Sequence, residues 1–358
     1  MAGKQVEKVI VDKFVAAQDS LVLQSADLSL ETIANMVKGK SIDVSPDYQR
    51  RERWTPEAKA ALIESFLLNV PIPPVYLAED DFGTYSVIDG KQRISAIAEY
   101  LGDKFSLKKL QRFQELDGFK FSELPLPLRN ALSIRPYIRA VTLLKQSDTD
   151  LKYEVFTRLN TGGQPLLPQE IRNALYRGNF NQLLFTLSEN PYLRKQLKIV
   201  TLKESAYTEM LDVELPLRFF AIKNSWENFS GDYRRSMDAF MAKHQKLSKA
   251  KLASMELEFS RSIDLCKEIW ADNAFRRFEK GIFRDQFLSA MFDAQMVATS
   301  ILSSSQVSKV KQHKAKILNE TKALFNDKRF EEAVRVSTNT PTRVAYRIRK
   351  ILDLLTSV

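Results

Sequence analysis

Val87-Ile-Asp-Gly-Lys-Gln-Arg93 is the stretch on which the reading of this chain turns. Two aliphatic residues end a strand, Asp89-Gly90 makes a tight turn, and a helix follows whose apolar face is Ile94, Ile97, Ala98 and Leu101, with Gly102 placed to close it. A strand that stops at a helix N-terminus gathers backbone amides and the positive end of the helix dipole at one place, which suits an anion. Gly90 permits close approach to the backbone. Lys91, Gln92 and Arg93 add donors for phosphate oxygens, Arg93 in bidentate fashion, and Asp89 is a candidate holder of a magnesium ion or a ribose hydroxyl. A plainer alternative stays open at this point: Asp89 caps the helix, and Lys91 and Arg93 are surface charges.

Working outward, Val75 to Ala78 and Tyr85 to Ile88 read as a hairpin around Asp80-Asp-Phe-Gly83. Before it, Thr55-Pro56-Glu57 starts a helix by hydroxyl cap and proline, and Pro71 must stop it. Further back, Ile42 begins a short strand, and Asp27 or Ser29 caps a helix from Leu30 to Val37. Residues 1 to 20 read as a loosely held arm or short helix. Downstream come a strand from Tyr137 to Leu144, a helix from Asp150 to Leu159, the turn Asn160-Thr-Gly-Gly163, and a helix from Pro168 to Tyr176 closed by Gly178. Beyond 180 only Gly231 and Gly281 remain of the glycines, and amphipathic helical patterns run to a last helix, Arg343 to Leu355. The expected class is therefore α+β, with a small mixed sheet and helices over 20–178, then an all-helical domain over 179–358.

Two other clusters share the polar composition of the turn. Tyr48-Gln49-Arg50 pairs an amide with a guanidinium as Gln92-Arg93 does, and Arg158-Leu-Asn160 leads into the Gly-Gly turn. Taken in order, Pro46-Asp-Tyr-Gln-Arg50, Trp54, Leu62-Ile-Glu-Ser65, Pro71-Ile-Pro-Pro74, the turn itself, Phe156-Thr-Arg-Leu-Asn-Thr-Gly-Gly163 and Gln169-Glu-Ile-Arg-Asn173 resemble the N-terminal domain of the GmrSD-type restriction enzymes. More distantly, the same region is similar to the ParB and sulfiredoxin fold, in which a strand, loop and helix bind a nucleotide phosphate. The resemblance implies nucleoside-triphosphate binding, often hydrolysis with magnesium, within bacterial defence against phage DNA.

The family signature is Asp-Gly-Gln-Gln-Arg, so the carry-over places catalytic roles on Asp89, Gln92 and Arg93, with Asp89 also the metal position. Nucleotide binding falls to Gly90 and Lys91, together with Gln49, Arg50, Arg158 and Asn160. Tyr48, Arg51 and Arg53 are the positions for sensing DNA. Lys91 departs from the signature, where glutamine is usual, and that substitution bears on nucleotide choice and turnover. Many relatives continue into an HNH nuclease domain, whereas this sequence offers only His244 and His313, both in Lys-rich helical stretches that read as solvated surface. A ribonuclease pattern of Arg five residues before His is also missing, since those positions are Ala239 and Ser308. Cleavage would then fall to a nuclease or toxin partner; a homodimer is left open.

Composition bounds the rest. Of 358 residues, only Cys266 is a cysteine, which excludes an internal disulfide and multi-cysteine metal sites. No secretory signal or membrane-spanning run is evident, so the expected setting is cytoplasmic and away from membranes. Charge is unevenly divided. Residues 1–180 hold 24 Lys and Arg against 23 Asp and Glu, net +1, and residues 181–358 hold 30 against 21, net +9. Lys309, Lys311, Lys314 and Lys316 begin the densest basic run, a candidate DNA-binding surface. Two readings compete with a nucleotide-dependent regulator: a metal-dependent DNA nuclease using Asp47, Asp89 and Lys91 as a Pro-Asp…Asp-x-Lys set, and a non-catalytic, antitoxin-like DNA-binding protein.

Overall fold

A computed structural model describes residues 2–19, 21–44, 54–147, 151–152, 154–155, 158 and 167–358. The chain divides into two compact units, Met1–Leu175 and Tyr176–Val358. In the first, helix α1 (Ala2–Asp19) precedes strand β1 (Leu23–Ser29), α2 (Leu30–Lys38), β2 (Ile42–Asp43), α3 (Pro56–Leu67), β3 (Val75–Asp81), β4 (Thr84–Asp89), α4 (Lys91–Leu101), α5 (Leu126–Ile134), β5 (Tyr137–Leu143) and α6 (Pro168–Leu175). The five strands form one mixed sheet in the order β1-β5-β3-β4-β2. β3 and β4 pair antiparallel as the expected hairpin, and β1 lies antiparallel to β5. β5 runs parallel to β3, and β2 parallel to β4. Parallel neighbours need crossover connections, and α3, α4 and α5 lie in them.

Side-chain alternation along the central hairpin feeds two apolar layers. Val75, Leu77 and Val87 pack into the larger, with Ile33, Ile63, Phe66, Ile94 and Ile97 from the helices. Ala78, Ile88 and Leu143 face the other way and meet Ile171 and Ala174 of α6. The site turn therefore sits where the sheet's most buried hairpin strand hands the chain to a buried helix. Glu64 of α3 is also buried; its carboxylate accepts the amides of Gln111, Arg112 and Phe113 at 3.1, 2.6 and 3.1 Å. Burial pushes that carboxyl up, but the three amides outweigh it and hold it below the usual range.

Ser25-Ala-Asp-Leu-Ser29 differs from expectation, being the end of strand β1. Ser29 does cap α2, accepting from the Thr32 amide, but Asp27 faces across the sheet and accepts from Nε and Nη2 of Arg139 at 2.9 and 3.0 Å. α3 begins at its Thr55 cap as read, and ends at Leu67, before Pro71 is reached. The second unit is helical from Asn179–Ser188 to Pro341–Thr356, with one small antiparallel ribbon, Phe278–Glu279 against Ile282–Phe283. Gly178 is the residue before Asn179–Ser188 and so opens that helix. His244 is half-buried because it stacks on Phe240 one turn earlier, at 4.0 Å between centroids, whereas His313 is exposed. Among the described residues no helix is long and apolar enough to cross a membrane.

Candidate functional site

Gly90 adopts φ 92° and ψ 12°, the left-handed conformation, at the point where β4 becomes α4. A Cβ there would lie 2.5 Å from Val75 Cγ1, so glycine is demanded by both backbone angle and space. Gly90, the residue before α4, brings no side-chain cap, and among the described residues the only hydrogen-bond partner of the Asp89 carboxylate is Arg93. Asp89 therefore does not play the helix-cap role. Its Oδ2 instead accepts from Arg93 Nη2 at 2.5 Å, and the same nitrogen donates to the carbonyl of Pro74 at 3.2 Å. Arg93 thus ties the end of β4 to the entrance of β3, while its buried Nε has no acceptor among the described residues. Neighbouring Gln92 faces a different task, its Oε1 accepting the Trp54 amide at 3.3 Å.

A cavity of about 840 Å³ opens beside this helix start. Lys91, Gln92, Ser95 and Glu99 line it from α4, with Lys38 from α2, Lys59 from α3 and Lys104 beyond α4. At roughly 100° per residue, positions 91, 92, 95 and 99 share one side of a helix and position 93 lies on the opposite side. The motif is consequently divided: Lys91 and Gln92 line the cavity, whereas Asp89, Gly90 and Arg93 brace the strand side. Lys59 donates to Glu99 at 2.5 Å across the cavity wall. The three lysines outside the motif carry no sequence signal, because they are dispersed over three separate segments and converge only in the fold.

The other expected site residues fall into two groups. Asp47, Tyr48, Gln49, Arg50, Arg51, Arg53 and Asn160 lie outside the described residues. Arg158 is exposed and paired with Glu154 one turn earlier. Lys309, Lys311, Lys314 and Lys316 are all exposed on two successive helices, Ser304–Gln312 and Lys314–Leu324. Among the described residues no group of three His, Cys, Asp or Glu could hold a metal ion.

The turn, the sheet behind it and the helices beside it fall within a segment that known proteins share. Residues 33–177 match the GmrSD restriction endonuclease, N-terminal domain. The N-terminal unit carries a GmrSD-type domain. Comparison with curated proteins and with solved structures returns no match. The GmrSD-type domain spans the whole of β2 to β5 and α6, and so contains the Gly90 turn and most of the cavity wall. The matched family is one of restriction systems, and the match covers 145 of the 358 residues.

Proposed function

We propose that this chain is the nucleoside-triphosphate-binding and hydrolysing component of such a system, acting on or sensing DNA, with cleavage left to a nuclease or toxin partner. The observation that carries the reading is the start of α4 at left-handed Gly90, set beside a cavity with four lysines. Small-molecule sites are commonly roughly 300–1,000 Å³, and 840 Å³ is ample for a nucleotide. Lys38, Lys59, Lys91 and Lys104 exceed the two acids, Glu31 and Glu99, that share the wall, which favours a polyanion.

Magnesium fits this donor set as an ion that arrives with phosphates, since it is commonly held by one or two carboxylates plus phosphate oxygens. The resemblance makes Asp89 the metal position, but Asp89 is not among the residues that line the cavity and its Oδ2 is held by Arg93, so an ion in the cavity would be held by the phosphates, whose charge it would neutralise. Arg93 holds Asp89 in place. Gln92, anchored on the Trp54 amide, lines the cavity and would orient a water there, and Lys91 would bind phosphate oxygens.

The test is to titrate the full chain with GTP, ATP, CTP and UTP plus magnesium, following phosphate release and the cutting of plasmid DNA. Release without cutting supports the reading. Cutting by the chain alone, or no binding of any nucleotide, overturns it.

A further inference from the structure

The helical unit contains a second concave site, of about 430 Å³, on segments that the GmrSD-type match does not cover. Arg277, Arg284 and Arg335 line it together with Gln286, Thr338 and the start of the helix Ser289–Ile301. The three guanidiniums come from three places in the chain: the segment leading into the small ribbon, the segment leaving it, and the end of the helix Lys328–Arg335. Arg277 is the inner one. Its Nη2 contacts Glu279 at 3.1 Å and Glu331 at 2.7 Å, and its buried Nε has no acceptor among the described residues. Arg284 and Arg335 are more than half exposed and reach the same two acids only at 3.6 and 3.5 Å.

We propose that this cavity binds a phosphate group. Three arginines against two shared carboxylates leave a net positive site, and guanidiniums make strong charge-assisted, bidentate bonds to phosphate oxygens. The helix Ser289–Ile301 adds to this, because among the described residues no side chain caps it and the first of its amides with acceptors are those of Met291 and Phe292, both on the Leu288 carbonyl. The loosely engaged Arg284 and Arg335 can turn inward by giving up one long ion pair each. Phosphate from either of two sources satisfies the same donors: a free phosphate or pyrophosphate, and the phosphorylated end of a nucleic acid. This site is independent of the turn at Gly90.

The experiment titrates the full chain, by calorimetry, with inorganic phosphate, pyrophosphate, and single-stranded oligonucleotides bearing a 5′-phosphate or a 5′-hydroxyl. The parent should bind at least one phosphorylated probe saturably. The double variant Arg284→Gln/Arg335→Gln should weaken that binding about tenfold or more. Preference for 5′-phosphate over 5′-hydroxyl identifies a nucleic-acid end as the source, and equal binding of pyrophosphate alone identifies a free anion. Both exchanged arginines are exposed, and circular dichroism verifies that the variant is folded. The proposal is overturned if no phosphorylated probe saturates the parent, or if the double variant binds as the parent does.

Discussion

Arg93 reaches back one helical turn over Gly90 and places its Nη2 2.5 Å from Oδ2 of Asp89. A residue carried over as a catalytic group is thereby also a brace, since the same nitrogen holds the Pro74 carbonyl. Arg93→Ala should lower thermal stability and weaken nucleotide binding together, the loss of a charge-assisted bond being about 1.5–3 kcal/mol. Arg93→Lys keeps the charge but cannot serve two acceptors from one planar fork, so it should recover part of the stability and little of the turnover. Calorimetric melting and phosphate release separate the two effects. A variant Arg93→Ala that binds and turns over nucleotide like the parent would remove the turn from the proposed function.

Gly90 is held by its angle and by Val75, and the two causes can be separated. Gly90→Ala should be destabilised by about 1–2 kcal/mol from the left-handed backbone alone, with a further cost from the Val75 methyl that a Cβ would meet at 2.5 Å. Val75→Ala in the same chain removes the 2.5 Å contact with Cγ1, leaves the angle, and keeps the residue-75 Cβ and Arg93 Nη2 at 3.0 Å. Denaturant unfolding of both single variants and the double should therefore give a favourable coupling energy. Strict additivity would mean that the Val75 contact is not what excludes a side chain.

Local punctuation made the site region legible from sequence. Asp89-Gly90 ended a strand, Thr55-Pro56 started a helix, and both boundaries stand where short-range chemistry put them. β1 was not legible, because Leu23, Ser25 and Asp27 lie on an edge strand with both faces largely exposed, so no alternation marks it. Only its partner explains it: Asp27 looked like a helix cap and proves to be half of an ion pair with Arg139, across 112 positions of sequence. The division of Lys91 and Gln92 from Arg93 was available in principle from helical periodicity. Lys38, Lys59 and Lys104 were not, since nothing local distinguishes a lysine that will line a cavity from one that will face water.

Glu64 makes stability in the GmrSD-type domain depend on pH in a defined direction. Its carboxyl is held below the ordinary value of 4.5 by the amides of Arg112, Gln111 and Phe113. A depressed folded value contributes stability that is present above the unfolded value and lost as pH falls through the folded one. Glu64→Gln should cost about 1.5–3 kcal/mol at pH 7, and the gap between parent and variant should narrow as pH drops below about 4.5. Urea unfolding at several pH values reads this directly. A gap that is constant with pH would show that the amides do not favour the ionised form.

Asp293 plays the corresponding part in the helical unit, with no exposure of its own. Arg218 binds both its oxygens at 2.7 Å, Arg347 reaches Oδ2 at 2.8 Å, and the Tyr233 hydroxyl donates to Oδ2 at 2.8 Å. Burial pushes its carboxyl up, and the two guanidiniums more than reverse that. Asp293→Ala leaves Arg347, itself fully buried, without its counter-charge. The expected loss is about 3–5 kcal/mol, measured as a lower denaturation midpoint. A loss under about 1 kcal/mol, the range typical of surface pairs, would mean that the network contributes packing and little electrostatic support.

The basic surface predicts a graded result among its four lysines. Lys311 contacts Glu268 at 2.9 Å and Lys316 contacts Glu320 at 3.8 Å, whereas among the described residues Lys309 and Lys314 have no acidic partner. A lysine already paired releases less counterion on meeting a phosphate, so the unpaired ones should dominate DNA affinity. Removing one lysine–phosphate pair lowers the slope of log K against log salt by about 0.9. Lys309→Gln/Lys314→Gln should accordingly weaken binding and flatten its salt dependence more than Lys311→Gln/Lys316→Gln, in mobility shifts run at several salt concentrations. If both double variants shift DNA as the parent does at every salt concentration, these two helices do not contact it.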